Sequence, residues 1–365
     1  MSEIVFVLGA GASKSAGAPL MNEFFDTAED LLAKNRFGED SDLIKKTFTC
    51  IDFLQKVYSK SYVDLNNLEQ VFGLIELGYL LDLNFDNKES PFEEYRKSIL
   101  RLIIRTIEEK GIIKIRSCPG DYSHIIKFIQ KNNGRKISFI TFNYDYFLEI
   151  SLIMKQISFN YSFDDLQNSS QIPIYKLHGS LNWAICKESL TNNEIIIPIY
   201  NESLLVAPIL FTEQSDLKTI ASKQLKIGFV LEKGRKKYEV IQENPFLIPP
   251  TWNKMAYNKD LKNIWHNAAI ELRDAKYLLI IGYSLPETDS FFKYLLALGT
   301  LSDARIRKFL VINPDNKCEA KYREIIGKGI EDRFLFIPKK LNDLQSYLAE
   351  NKLDQETADL IKMLA

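Results

Sequence analysis

The chain has 365 residues, 46% hydrophobic and 26% charged, with a formal net charge of −1. This is globular composition with length for a large core. A charge so near zero argues against a general nucleic-acid binder, and no direct nucleic-acid binding is expected. The four cysteines, Cys50, Cys118, Cys186 and Cys318, form no C-x-x-C pair. That gives no support to a zinc ribbon or a disulfide framework and predicts reduced, mostly buried thiols.

The opening stretch IVFVLGAGA is apolar, but it lacks a basic leader region and its first charge is Glu3, unlike a signal peptide. Residues 3–8, EIVFVL, predict a buried parallel strand running into Gly9. Apolar residues then recur at helical spacing. Phe24, Phe25, Ala28, Leu31 and Leu32 form one face; Leu68, Val71, Phe72, Ile75 and Tyr79 form another; Phe92, Tyr95, Ile99, Leu102 and Ile103 form a third. This block, 20–130, is expected as a helical insertion beside a sheet.

KISFITF (136–142) predicts the next strand, with a helix at 144–153, and IPIYKL (172–177) predicts another strand. Residues 185–258 change character: EIIIPIY, SLLVAPIL and KIGFVLEKGRKKYEVI read as irregular strands and hairpins, punctuated by NPFLIPPTW. Lys233, Arg235, Lys236 and Lys237 are expected at a solvated hairpin tip. From 260 onward helices and strands alternate. LKNIWHNAAIELRDA precedes KYLLIIGYS, a helix near 289–299 precedes RKFLVINP, another precedes RFLFIP, and helices near 340–363 follow. No apolar run reaches the ~20 residues of a membrane helix, and a cytoplasmic protein is expected. The expected fold class is α/β. A Rossmann-like doubly wound parallel sheet spans 1–365, with the large helical insertion and a smaller β-hairpin-rich insertion at 185–258.

GAGAS, residues 9–13, follows the first strand and is expected to open a helix. Gly9 and Gly11, with Ala10 between them, leave the backbone bare, so N–H groups can approach a phosphate. The helix dipole favours an anion there, and Ser13 adds a hydroxyl donor. The third glycine of G-x-G-x-x-G is missing, since position 14 is Lys, and the Walker A spacing fails. The competing reading is a small-residue turn packing on the sheet. Further stretches fall at expected strand ends, where ligands of doubly wound sheets bind. They are TFNYD (Thr141–Asp145), KLHGS (Lys176–Ser180), GYSLPETD (Gly282–Asp289) and, more weakly, INPD (Ile312–Asp315).

The succession G-A-G-x-S, T-x-N-x-D, H-G, G-x-S-L and I-N resembles the sirtuin superfamily. KLHGSLNW and GYSLPETD are similar to forms in the sirtuin-like NAD-hydrolysing proteins of bacterial anti-phage defence. The resemblance spans residues 9 to 315 and implies a single sirtuin-like domain. It implies that Gly9, Ala10, Gly11 and Ser13 hold a pyrophosphate. Asn143 and Asp145 would sit by the nicotinamide ribose, and His178 would be the general base. Gly282, Ser284 and Asn313 would complete the cofactor-binding set, the last two against the adenosine half.

The chemistry agrees with these roles. Cleaving the glycosidic bond of NAD+ builds oxocarbenium character at the ribose, and nicotinamide leaves without a general acid. An amide such as Asn143 can hydrogen-bond a ribose hydroxyl and a water but cannot take a proton, whereas an imidazole, titrating near ~6.5 in water, can. Of three histidines, only His178 lies in a strand-end turn; His124 and His266 fall in helical pattern and are expected to be structural. His178 could instead cap or pack, and Asp145 could cap the next helix or brace Asn143. Trp183 and Trp252 are expected in the core or the pocket wall.

The chain departs from deacylating sirtuins in several places. It has no paired C-x-x-C zinc module, so no zinc or other metal is expected. AGAPLMNEFF stands where G-I-P-D-F-R would be, and Phe142 replaces the Gln of T-Q-N-I-D. Water is therefore the expected acceptor, which makes the chain an NAD+ hydrolase producing nicotinamide and ADP-ribose. The alternatives are a non-catalytic NAD or ADP-ribose-binding regulatory subunit, and an NAD-dependent deacylase or ADP-ribosyl transferase. A constitutive NAD+ hydrolase would poison its host. No added sensor domain is expected, so the gate would be self-assembly or a separate partner. The resemblance suggests a homo-oligomer and a separately encoded HerA-type DNA-translocating ATPase. The helical block is the candidate assembly surface, unless its apolar faces are buried within the monomer.

Overall fold

The computed structural model describes residues 2–55, 60–83, 91–112, 117–161, 171–189, 194–198, 230–233, 236–242, 244–248, 259–286, 290–299 and 305–365. Strands β1 (Ile4–Leu8), β2 (Ile137–Thr141), β3 (Phe159–Asn160) and β4 (Ile172–Lys176) belong to a main sheet. Strands β5 (Trp183–Glu188), β6 (Glu194–Pro198), β7 (Val230–Lys233) and β8 (Lys236–Val240) form a second, antiparallel sheet. Strands β9 (Tyr277–Ile281), β10 (Lys308–Ile312) and β11 (Phe334–Ile337) return to the first.

The main sheet has seven parallel strands in the order β11-β10-β9-β1-β2-β4-β3. This is the expected doubly wound, Rossmann-like α/β class. Every residue of β1, β2 and β9 is buried, as continuous apolar runs demand when both sheet faces are covered. Phe6 of β1 stacks on Phe139 of β2 at 5.0 Å and meets Phe128 edge-on at 5.2 Å. The chain leaves β1 for β2 on one side, and β9 pairs on the other. The carboxyl ends of β1 and β9 thus form the crevice of a topological switch point.

The helix expected after the glycine loop is one turn, α1 (Ala10–Ser13), followed by a 3-10 turn over Lys14–Ala16. Gly17 ends it at φ 101°, and a Cβ there would lie 2.1 Å from the Lys110 carbonyl oxygen. The loop is instead tied to the next block, with Ile112 N–H donating to Ala16 O at 2.7 Å.

The helical block contains α2 (Phe24–Ala33), α3 (Ser41–Leu54), α4 (Leu68–Leu80), α5 (Pro91–Lys110) and α6 (Tyr122–Lys131), with α5 packed on α2, α3 and α4. Most residues of its apolar stripes enter the same core cluster as the main sheet, while Leu77, Leu80 and Leu81 at the end of α4 are exposed. Tyr79 departs from the expected stripe. It sits on the last turn of α4, partly exposed, with the Arg96 guanidinium 5.0 Å from its ring centre. The helix expected at 144–153 is α7 (Phe147–Met154), shortened because residues 143–146 form a turn.

The second sheet, of order β6-β5-β8-β7, has its own small core of Ala184, Cys186, Ile197, Tyr238 and Val240. Lys236 and Lys237 are exposed on its hairpin, as expected of a solvated tip. Arg235 and Trp252 lie outside the described residues. Trp183 is fully buried. Both ring nitrogens of His124 are engaged, by Leu364 O and Asn342, so it is structural. Cys50, Cys186 and Cys318 are buried, and burial pushes the Cys50 thiol up to about 12, leaving it inert. Among the described residues no helix is long and apolar enough to cross a membrane.

One cap gives a pH test. Asp354 accepts from Thr357 N and Oγ1 at the start of the Gln355–Leu364 helix and pairs with Lys308 at 2.8 Å. The Lys308 and Thr357 bonds hold its carboxyl at about 2, below the ordinary 3.8. A depressed carboxylate stabilises the fold above its unfolded value, and that contribution is lost as pH falls toward the folded one. Asp354→Asn keeps the cap but removes the charge. Its Tm is expected to fall roughly 1–3 °C below the native chain at neutral pH. The gap should close as pH drops from 3.8 toward about 2. A pH-independent gap by calorimetry would refute this.

Candidate functional site

A cavity of about 560 Å³ opens at the carboxyl ends of β1, β2, β9 and β10, within the usual size of a small-molecule site. Ala10 and Gly11, Asn143, His178, Gly282, Ser284 and Asn313 all line it. The helical block closes the opposite wall with Leu20, Met21, Asn22, Asn67, Leu68, Glu69 and Phe72.

The glycines serve a crossing of two loops. Gly9 N–H donates to Ile281 O at 3.1 Å, and Gly11 N–H donates to Gly282 O at 2.8 Å. A Cβ on Gly9 would lie 2.5 Å from Tyr283 Cα, and one on Gly11 would lie 2.8 Å from Gly282 Cα. Gly282 has φ +61°, and its Cβ would meet Ala12 N at 2.2 Å. These N–H groups therefore hold the glycine loop to the loop after β9, instead of standing free for a phosphate as the sequence suggested.

Asn143 is positioned by that loop. Its Nδ2 donates to Gly9 O at 2.9 Å and to Ser13 Oγ at 3.0 Å. Ser13 is fully buried, bonds Tyr122 OH at 2.8 Å, and does not line the cavity. Asp145 is also buried and does not line the cavity. Its Oδ1 accepts from Phe147 N at 3.1 Å at the start of α7. Burial pushes the Asp145 carboxyl up, opposed by the Lys176 ammonium. Lys176 is itself buried, bonded to Asp145 O and paired with Glu149 at 3.0 Å, which compensates the buried charges.

His178 is only 3% exposed and lies in the turn after β4. Gly179 takes φ +81° there, and a Cβ would strike Phe246 O at 2.1 Å. Ile248 N–H donates to His178 O at 2.9 Å, and Tyr144 OH donates to Ile248 O at 2.7 Å. The imidazole meets Phe142 edge-on at 5.2 Å. Phe142 in turn stacks on Tyr283 at 4.3 Å and 3°. This aromatic floor joins TFNYD to GYS. Asn313 is buried and spans two loops, donating to Tyr283 O at 3.3 Å and accepting from Asp315 N at 3.0 Å. Ser284 is exposed at the rim.

Sequence reasoning missed Tyr122, the Phe142–Tyr283 stack, and Lys321, Lys339 and Lys340. The three lysines line the same cavity. They come from two segments and form no run with the motifs, so only packing brings them together. Among the described residues no three His, Cys, Asp or Glu side chains converge on a metal position.

A glycine-loop cavity at the switch point of a doubly wound parallel sheet places the chain in the class of Rossmann-like nucleotide-type folds. The model of the family described as SIR2-like domain matches residues 137–226, about a quarter of the chain. That stretch contains Asn143, Asp145 and His178. Solved sirtuin structures match the chain along most of its length at low identity. A Sir2 homologue serine-to-alanine variant in complex with ADP-ribose covers 99% of this chain and 91% of its own, at 11% identity and TM-score 0.40. A Sir2 histidine-to-alanine variant with deacetylated p53 peptide and 3'-O-acetyl ADP-ribose covers 95% and 92%, at 12% identity and TM-score 0.38. A Sir2–p53 peptide–NAD+ complex covers 95% and 92%, at 11% identity and TM-score 0.38. No curated protein matches the chain by sequence.

Proposed function

We propose that this chain is an NAD+ hydrolase that cleaves the nicotinamide–ribose bond to give nicotinamide and ADP-ribose. The observation that supports it most is the convergence of Gly11, Asn143 and His178 on one cavity at the switch point. In the proposed step the bond between C1' and the nicotinamide nitrogen breaks, and its electron pair leaves with neutral nicotinamide. Water adds to C1' and gives its proton to His178. Asn143 holds the ribose hydroxyl or the water, since an amide can orient but not deprotonate. The Phe142–Tyr283 stack walls the same region against bulk water.

The motif resemblance extends the proposal to an anti-phage effector that depletes NAD+ in the cytoplasm. A homo-oligomer and a separately encoded HerA-type ATPase are the proposed gate.

The test is incubation of purified protein with NAD+, alone and with its genomic neighbour, followed by chromatography of nicotinamide and ADP-ribose. Products from the native chain and none from His178→Ala support hydrolysis. Bound but intact NAD+ in every mixture would overturn it and leave a nucleotide-binding regulatory subunit.

The cavity lysines give a second expectation. Reversing Lys339 and Lys340 together to Glu should weaken NAD+ binding ~10-fold at low salt, with the loss shrinking as salt screens it. Calorimetric titration at two ionic strengths checks this, and unchanged affinity at low salt would remove these lysines from the site.

A further inference from the structure

We infer that Tyr122 is a positioning residue for Asn143, acting through Ser13 to present the Asn143 carbonyl oxygen to the cavity as a hydrogen-bond acceptor. For its turnover readout the inference rests on the nucleotide reading above.

The argument is one of donor and acceptor counting. Gly9 O can only accept, so the atom of Asn143 lying 2.9 Å from it is the amide nitrogen. The second amide hydrogen goes to Ser13 Oγ at 3.0 Å. Both donors of Asn143 are thus engaged, and among the described residues its Oδ1 has no hydrogen-bond partner. Asn143 lines the cavity, so it offers an acceptor there, suited to a ribose hydroxyl or a water O–H.

Ser13 bonds two side chains, Asn143 and Tyr122. The amide only donates, so the Ser13 oxygen accepts from Asn143. Tyr122 OH lies 2.8 Å from the same oxygen, and either hydroxyl can supply the hydrogen between them. Burial keeps the phenol protonated. Tyr122 opens α6 and is 2% exposed, so its hydroxyl is carried on a packed helix. Tyr122 holds Ser13, and Ser13 and Gly9 O together leave Asn143 one orientation.

Tyr122→Phe removes this hydroxyl and keeps the ring. Its kcat for nicotinamide release is expected to fall roughly 10-fold with KM within about twofold, the scale of one buried hydrogen bond. Ser13→Ala combined with Tyr122→Phe should be no slower than Ser13→Ala alone, because the tyrosine acts through the serine. The side-chain amide signals of Asn143, assigned by their loss in Asn143→Ala, should exchange slowly in the native chain and faster in Tyr122→Phe. An unchanged kcat, or additive effects in the double variant, overturns the inference. So does an unchanged Asn143 amide signal with only Tm lowered. If the native chain releases no nicotinamide in any mixture, the hydrolase reading falls, and the amide spectrum still decides the positioning role.

Discussion

His178→Ala is expected to slow nicotinamide release by ~100- to 10,000-fold, the usual worth of a positioned general base. Binding of ADP-ribose should change little. His178 lines the same cavity as Asn143, while the turn that carries it is held by backbone groups. Ile248 N–H bonds the His178 carbonyl, and Gly179 supplies the positive φ. Neither depends on the ring, so the variant should keep the fold and the cavity. The other carboxylates on the wall, Glu69, Asp121 and Asp315, come from other segments. Asp145 is buried, does not line the cavity, and accepts from Phe147 N. Nicotinamide release by chromatography and ADP-ribose titration by calorimetry are the paired measurements. A variant that keeps native turnover would move the base to one of those wall carboxylates. A variant that loses binding as well would make His178 a wall residue rather than a base.

A large stability effect is expected at Gly282. Gly282→Ala should destabilise the chain by about 3 kcal/mol or more, since a left-handed φ and a buried clash combine. The new Cβ would lie 2.2 Å from Ala12 N and 2.4 Å from Gly11 C, both backbone atoms. A flexible side chain could move aside; these cannot without parting the glycine loop from the loop after β9. The Gly11 N–H to Gly282 O bond at 2.8 Å would be strained or lost with them. Gly327→Ala is the matched control, because nothing lies within 4 Å of its added Cβ. Its expected effect is within about 0.5 kcal/mol, as for other unconstrained surface changes. Urea denaturation of both variants decides the matter. Equal effects would show that the crossing is not the reason for glycine at 282.

The central strands were legible because their signal is local. IVFVL, ISFIT, YLLII and KFLVI are short, mainly apolar runs, and each is followed at once by a turn that carries a motif. The parallel order follows from helices placed between them. For the same reason the strand-end residues Gly11, Asn143, His178, Gly282, Ser284 and Asn313 come to one cavity. All sit just past the ends of strands in one sheet. Helix lengths were less legible. α1 is one turn, and the 3-10 turn after it stops at Gly17, which must pass the carbonyl of Lys110. Tyr79 leaves its stripe because the last turn of α4 runs past the core.

What the sequence by itself determined is therefore the doubly wound sheet and the edge at which a ligand site would lie, since both follow from short apolar runs and the turns attached to them. Only the tertiary structure decided what each site residue does. Gly9 and Gly11 are glycines because Gly282 and Tyr283 cross them. Ser13 bonds Tyr122 and Asn143 and does not line the cavity. Asn143 is turned by Gly9 O and Ser13, and the three lysines come from separate segments. Close backbone approach and the direction of a hydrogen bond depend on partners distant in the chain. They exist only once the segments are packed.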